Sequence, residues 1–140
     1  MILLDTSGLL AALDPDQHRH GEAAKALTTA RPPRLLSPFV LAELDYLLAT
    51  RVGQPAELAL LDEVALGAYR LEPFSEADIG IARNVIASFS SLGIGLADAS
   101  IVVLADRYGV RDLLTLDERH FRTLRASGGA QFRLLPADAA

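Results

Sequence analysis

The sequence opens on Met1-Ile2-Leu3-Leu4-Asp5-Thr6-Ser7, a run of apolar residues followed by an acid and two hydroxyls. A continuous apolar run that ends in a polar turn is typical of a strand buried on both faces of a parallel sheet. Ligand sites of such sheets lie at the carboxyl ends of the strands, which is where Asp5 stands. Asp5, Thr6 and Ser7 are also good N-cap residues, so this stretch alone leaves a helix cap and a functional carboxylate equally open.

Apolar segments that suit strands alternate with segments of helical periodicity along the rest of the chain. Helix signals separate them: Ser37-Pro38 begins a helix, Gly53 and Gly67 each end one, and Ser75 with Asp78 resembles a capping box. Such alternation predicts a parallel sheet covered by helices on both faces. We therefore expect an α/β fold, a three-layer α/β/α sandwich around a central, mostly parallel sheet of about five short strands.

The predicted strands cover residues 1–4, 34–36, 69–71, 112–116 and 132–135. The predicted helices cover residues 8–13, 18–30, 39–51, 56–66, 75–89 and 96–108, with a short helix within 117–124. We expect the tail 136–140 to fray. No internal repeat or long linker divides the chain, so we expect one domain over residues 1–140.

The composition is that of a globular chain without cysteine chemistry. The 140 residues are 51% apolar and include no cysteine, which excludes disulfides and thiolate metal sites. The apolar strand begins at Met1, so we expect no signal peptide, and no apolar run reaches the roughly 18 residues that span a bilayer. These features favour a protein of the reducing cytoplasm.

The net charge is acidic, at −5 from 13 basic and 18 acidic residues. An acidic chain is at first sight a poor nucleic-acid binder. If four acids bind a metal, however, the remaining acids and bases nearly balance. All the bases except Lys25 are arginines, a residue that suits bidentate phosphate contacts, although genome base composition explains an arginine excess equally well.

Asp98 is the only charged residue between positions 92 and 105. On a helix it shares a face with Ile101, Val102 and Ala105, which draws it toward the interior. Burial of an unpaired carboxylate is costly, so Asp98 requires a cation, a set of donors or a proton. The helix dipole also favours a carboxylate near a helix start, but a cap does not need so apolar a helix behind it. We therefore predict a functional role for Asp98.

Two further acids have comparable surroundings. Asp117 directly follows the apolar strand 113–116, as Asp5 follows its own strand, although Asp117 also suits a turn or a helix cap. In a parallel sheet both acids would lie at one edge. Glu43 is predicted to lie on the apolar side of its helix or at the rim of that side, whereas Asp45 is predicted to be exposed or paired.

Four acids on four elements suggest a metal site. Hard divalent cations such as Mg²⁺ and Mn²⁺ take oxygen ligands, and clustered carboxylates repel one another unless a cation is present. Such a site polarises a phosphate and activates water for in-line displacement. The predicted catalytic and metal-binding residues are Asp5, Glu43, Asp98 and Asp117, with one metal or two left open. Thr115 is predicted to hold Asp117 or a phosphate, or to be a simple β-branched strand residue.

The stretches that contain these acids are Leu3-Leu4-Asp5-Thr6-Ser7, Ala42-Glu43-Leu44, Gly95-Leu96-Ala97-Asp98-Ala99 and Leu114-Thr115-Leu116-Asp117-Glu118-Arg119-His120-Phe121. In this order and at this chain length they resemble the motifs of a PIN-domain ribonuclease of the VapC type, found as toxins in bacterial toxin–antitoxin pairs. Each stretch alone is weak, but the ordered set is specific and extends over nearly the whole chain.

The resemblance implies a Mg²⁺- or Mn²⁺-dependent endoribonuclease. It further implies a homodimer that is neutralised by a cognate VapB-type antitoxin covering the site. In this family the acids that match the four named above bind metal, and the hydroxyl that matches Thr6 or Ser7 often supports it. The RNA substrate is left open between tRNA, ribosomal RNA and messenger RNA.

Two other functions are compatible with parts of the sequence. A non-catalytic RNA- or protein-binding module on the same fold would not need an intact set of acids. Phosphotransfer on Asp5 is the second, but Ser7 stands where an aspartyl phosphatase has its second acid. A receiver domain needs a lysine at its phosphate site. The one lysine here, Lys25, lies in an early polar helix, which does not match that position.

The histidines are not predicted to bind metal. His18 and His20 are two residues apart and do not share a helix face, so they would make a poor chelate. His120 stands close to Arg119 and Arg122, and we predict a surface or packing histidine there, with an RNA-facing position as the alternative.

Overall fold

Five short strands and seven α-helices alternate along the computed structural model, which describes residues 1–139. The strands are β1 Ile2–Leu4, β2 Arg34–Leu36, β3 Arg70–Leu71, β4 Asp112–Leu114 and β5 Arg133–Leu135. The helices are α1 Thr6–Leu13, α2 His20–Thr29, α3 Pro38–Leu47, α4 Gln54–Ala65, α5 Glu76–Ser88, α6 Leu96–Tyr108 and α7 Glu118–Phe121. A π-helix, Leu48–Val52, continues α3, and 3₁₀ turns lie at Ser90–Leu92 and Ser127–Gly129.

The strands form one sheet in the order β3-β2-β1-β4-β5, and every neighbouring pair is parallel. The first strand of the chain is therefore the central strand of the sheet, and its three residues are fully buried or nearly so. Helix α6 packs against β1 and α2 against β4. The predicted α/β/α sandwich around about five short strands is confirmed, because apolar runs of this kind need helices on both faces.

Most element ends lie within two residues of the prediction, but two differences affect the site. Helix α3 was predicted to run to residue 51, and it gives way to the π-helix after Leu47. Strand β4 was predicted to run to residue 116, and it ends at Leu114. Beyond it, the Thr115 hydroxyl accepts a hydrogen bond from the Asp117 N–H at 2.9 Å, which turns the chain away from the extended conformation.

Close packing between α1 and β4 depends on Gly8. A Cβ atom at this position would lie 2.4 Å from the Leu114 carbonyl oxygen, a distance that no real side chain tolerates. A residue without a side chain therefore allows the first turn of α1 to lie directly on the carboxyl end of β4. This contact brings the polar residues that follow β1 and β4 together.

Hydroxyl groups fix the starts of α3 and α5 as predicted. Ser37 accepts a capping hydrogen bond from the Phe39 N–H at 3.1 Å, and its hydroxyl lies 2.7 Å from that of Ser100 on α6. Ser75 and Asp78 form the predicted capping box. The Ser37–Ser100 contact ties the beginning of α3 to α6, and so fixes these two helices relative to each other.

The expectation of a frayed tail is wrong for residues 136–139. Asp138 accepts a hydrogen bond from the Leu134 N–H at 2.8 Å and two more from the Arg122 guanidinium, at 2.9 and 2.8 Å. The hydrogen bonds from Arg122 lower the pKa of Asp138 to about 2. Ala140, the last residue of the predicted tail, lies outside the described residues. None of the helices within residues 1–139 is long and apolar enough to cross a membrane.

Candidate metal centre

A cavity of about 490 Å³ opens at the carboxyl edge of the sheet, and we call it the carboxylate cavity. Its walls come from the turn after β1, one side of α3 with its π-helix, the start of α6 and the turn after β4. The four predicted acids all line it: Asp5, Glu43, Asp98 and Asp117. Residues far apart in the sequence meet here because parallel strands β1 and β4 are neighbours and end at the same edge.

Asp5 lies at the base of the carboxylate cavity and is 4% exposed. It occupies the N-cap position of α1, yet its side chain makes no capping hydrogen bond. Instead, one oxygen accepts hydrogen bonds from the hydroxyls of Ser7 at 2.7 Å and Thr115 at 2.6 Å. Burial raises the pKa of Asp5, against the opposing effect of these two hydrogen bonds. A helix cap does not account for a carboxylate placed in this way.

The three supporting residues predicted from the sequence have different surroundings. Thr115 Oγ1 donates a hydrogen bond to the Asp5 carboxylate and accepts one from the Asp117 N–H. One hydroxyl thus links the turn after β1 to the turn after β4. Ser7 Oγ lies 3.2 Å from Thr115 Oγ1 and accepts a hydrogen bond from the Leu116 N–H at 3.0 Å. Thr6 lines the cavity and is 4% exposed, and its hydroxyl has no hydrogen-bond partner within residues 1–139.

Asp98 enters the carboxylate cavity from the first turn of α6, as the sequence predicts. Its side chain is 20% exposed. Burial, followed by the negative charge of Asp5, raises the pKa of Asp98 to about 6, and the charges of Asp117 and Glu43 add to this rise. Four carboxylates therefore lie within electrostatic range of one another, an arrangement that is unfavourable without a counter-charge.

Asp117 both caps a helix and faces the cavity. One carboxylate oxygen accepts a hydrogen bond from the His120 N–H at 3.1 Å, which caps α7. The other oxygen lies 2.8 Å from His120 Nδ1, and the same nitrogen lies 3.3 Å from a carboxylate oxygen of Asp98. The sequence left two roles open for Asp117, a helix cap and a site residue, and the side chain occupies both positions.

Sequence reasoning did not predict that His120 would contact the acids. The His120 side chain was predicted to be a surface or packing residue, but it lies between Asp98 and Asp117 in the cavity. It contacts Asp117 because α7 places residues 117 and 120 on one face. Potential ligand atoms of Asp98, Asp117 and His120 all lie within 4.8 Å of one another. Nδ1 is buried, and despite its short contact with Asp117 it makes no aligned hydrogen bond.

Glu43 is exposed, at the rim of the cavity rather than on an apolar stripe. It lines the wall with Leu47 and Arg51, which follow it at intervals of four residues. Asp45 is half-buried and pairs with Glu57, whose pKa it raises through a shared hydrogen bond. Sequence reasoning missed Arg51, because its position depends on the π-helix.

The donor set fits a hard divalent cation. Carboxylate oxygens, with one imidazole nitrogen, are ligands that Mg²⁺ and Mn²⁺ accept. His120 Nδ1 makes no aligned hydrogen bond, and the neighbouring acids raise the pKa of Asp98 by their negative charge. Both observations indicate a site that lacks a counter-charge.

A model of the PIN domain family matches residues 2–126, and the chain belongs to this family. Ribonuclease VapC26 of Mycobacterium tuberculosis is 45% identical to it over 135 residues, which cover 96% of this chain and 100% of that protein. The resemblance to PIN-domain ribonucleases of the VapC type, inferred from the ordered motifs, is thereby confirmed.

Two solved structures have the same fold. The crystal structure of Mycobacterium tuberculosis VapC20, a sarcin-ricin loop cleaving toxin, matches with a TM-score of 0.77 and 24% identity, over 84% of this chain and 90% of that one. The structure of FitAcB from Neisseria gonorrhoeae matches with a TM-score of 0.58 and 23% identity, over 78% and 83% of the two chains.

Proposed function

We propose that the protein is a metal-dependent endoribonuclease of the VapC toxin type, which hydrolyses RNA phosphodiester bonds at the carboxylate cavity. The observation that carries this proposal is the convergence of four acids from four elements on one cavity at the carboxyl edge of the sheet. The 45% identity with a protein named as a ribonuclease, over nearly the full length of both chains, supports the same reaction class.

Asp5, Asp98 and Asp117 are the proposed ligands of Mg²⁺ or Mn²⁺, with Glu43 at the rim and His120 as an added candidate. A divalent ion bound there would polarise the scissile phosphate and lower the pKa of the attacking water. The hydroxyls of Ser7 and Thr115 keep Asp5 in one orientation through two short hydrogen bonds.

Two features of the chain itself favour a phosphate in this cavity. The first turns of α1 and α6 both line it, and neither helix has a side-chain cap. Free N–H groups at a helix start attract anions. The unpartnered hydroxyl of Thr6 supplies a further donor in the same wall. These groups would orient the substrate phosphate against the acids.

We further propose that a cognate VapB-type antitoxin neutralises the protein by covering the cavity, and that two copies of the chain form a homodimer. The resemblance to toxins of toxin–antitoxin pairs supports both proposals, and VapC20 is itself described as a toxin. Large apolar side chains are exposed on the outer helices and offer contact area for partners; they include Tyr46, Leu58, Ile79 and Ile81.

The proposal is tested by mapping new RNA 5′ ends after induction of the wild-type protein and of Asp5→Asn. New ends at a defined RNA position, present with wild type and absent with Asp5→Asn, are the expected result. The purified protein should reproduce the cut only with Mg²⁺ or Mn²⁺. RNA binding without any cleavage would instead indicate a non-catalytic module and would overturn the proposal.

A further inference from the structure

The wall of the carboxylate cavity carries four acids but only one permanent cation among the residues that the structure describes. That cation is Arg51, in the π-helix that follows α3. RNA must approach this acidic surface with its own negative phosphates, so a fixed positive charge in the wall has a direct use.

The π-helix determines where Arg51 lies. The Gly53 N–H donates to the Leu48 carbonyl at 2.8 Å, a bond across five residues that widens the turn. In a regular α-helix, every step of four residues advances the side chain by about 40° around the axis. The wider turn offsets this advance, so Arg51 stays on the cavity side with Glu43 and Leu47.

The side chain of Arg51 is exposed and makes no hydrogen bond or ion pair with residues 1–139. Most other arginines of the chain are engaged: Arg107 bridges Glu72 and Asp78, and Arg122 binds Glu118 and Asp138. A guanidinium that faces a cavity without a partner keeps its full capacity for bidentate contact with a phosphate.

We infer that Arg51 binds a backbone phosphate of the RNA that flanks the scissile phosphate, and so positions the strand across the acids. The inference rests on the proposed ribonuclease function. Asp5, Asp98 and Asp117 lie on the other walls, whereas Arg51 lies beyond Glu43 in the π-helix that continues α3. The phosphate that Arg51 binds is therefore a neighbour of the scissile phosphate. Arg51 is thus a positioning residue for the substrate.

The test compares Arg51→Ala, Arg51→Lys and a matched control, Arg31→Ala. Arg31 is likewise exposed and unpaired within residues 1–139, but it precedes β2 and lies at the opposite edge of the sheet. Binding of a labelled mixed-sequence RNA 20-mer is measured in the Asp98→Asn background, at several salt concentrations. Cleavage kinetics are measured in the otherwise wild-type chain.

Arg51→Ala is expected to weaken RNA binding about tenfold. The slope of the logarithm of the binding constant against the logarithm of the salt concentration should become shallower by about 1, which corresponds to the loss of one phosphate contact. Arg51→Lys should keep the salt dependence but recover only part of the affinity, because an ammonium does not bind phosphate in a bidentate manner. In cleavage, KM should rise with little change in kcat. Mn²⁺ affinity, melting temperature and the behaviour of Arg31→Ala should match those of the parent protein.

Unchanged affinity and salt dependence in Arg51→Ala, or an equal loss in Arg31→Ala, would overturn the inference. These outcomes are distinct from failure of the proposed function. If the wild type binds RNA through Arg51 but never cuts it, the ribonuclease proposal fails and the phosphate contact stands. If Arg51→Ala retains metal-dependent cleavage at the wild-type KM, the ribonuclease proposal stands and the phosphate contact of Arg51 fails.

Discussion

Thr115 Oγ1 donates a 2.6 Å hydrogen bond to Asp5 Oδ2 and thereby joins the carboxyl ends of the central strand β1 and its neighbour β4. The same oxygen accepts the N–H of Asp117. One buried hydroxyl thus sets the position of two of the four acids. Groups that orient a ligand in this way commonly influence metal affinity as strongly as a weak ligand does.

Thr115→Val should weaken Mn²⁺ binding and lower the cleavage rate by about 10–100-fold. The substitution keeps the shape of the side chain but leaves the Asp117 N–H without its acceptor and Asp5 with one hydroxyl donor fewer. Calorimetric titration with Mn²⁺ and single-turnover cleavage measure the two effects. Thr115→Ser, which restores the hydroxyl, is the control; equal losses in both variants would show that the methyl packing matters and not the hydrogen bonds.

Asp98→Asn should raise the free energy of unfolding of the metal-free protein at pH 7.5 by roughly 1–2 kcal/mol. This value is smaller than the full pKa shift of Asp98 corresponds to, because solvent screens the partly exposed side chain. The folded-state pKa is about 6, above the ordinary 3.8, so the folded state binds the proton more tightly. Stability in EDTA should therefore rise as the pH falls from 7 toward 4. Denaturant unfolding at pH 7.5 and pH 5 checks this, with Asp16→Asn, an exposed acid, as control. A pH dependence that persists unchanged in Asp98→Asn would contradict the assignment.

Saturation with Mn²⁺ should raise the free energy of unfolding, by about 2.7 kcal/mol at a concentration one hundred times the Kd. Affinity should decline below about pH 6, because protons compete for Asp98 and for Asp5, whose pKa values are both raised. Thermal unfolding with and without Mn²⁺, across pH 5 to 8, measures both trends. A Mn²⁺ effect that did not depend on pH would place the ion away from these acids.

His120→Ala should reduce Mn²⁺ affinity about tenfold while leaving the backbone cap of α7 in place. The side chain lies between Asp98 and Asp117, whereas the cap uses only its N–H. His18→Ala, at an exposed histidine, is the matched control in the same titration. Mn²⁺ affinity equal to wild type in His120→Ala would show that the imidazole does not contribute to metal binding.

Gly8→Ala should destabilise the protein by about 1–3 kcal/mol or more, since the added Cβ would meet the Leu114 carbonyl oxygen at 2.4 Å. Gly21→Ala in α2 should instead stabilise it by about 0.5–1 kcal/mol, because no atom lies within 4 Å of its added Cβ. Urea unfolding of both variants makes the comparison. If both substitutions stabilised the protein, the close contact of α1 with β4 would not exist in solution.

The parallel sheet and three of the acids could be predicted because local patterns determine them. Asp5 and Asp117 each end an apolar strand, and parallel strands bring their ends to one edge. Asp98 was conspicuous as a lone charge in an apolar helix. His120 and Arg51 were not predictable in the same way, since their positions depend on a four-residue helix and on a π-turn that leave no periodic signal.

The place of β1 at the centre of the sheet has a consequence for synthesis of the chain. Its neighbour on one side, β4, lies more than one hundred residues later in the sequence. Asp5 therefore lacks the hydrogen bond from Thr115 until β4 has been synthesised. A nascent chain that still lacks residues 112–117 has an open edge on β1 and an incomplete cavity. The proposed metal site therefore cannot assemble until translation has passed β4, because that strand leads into Thr115 and Asp117.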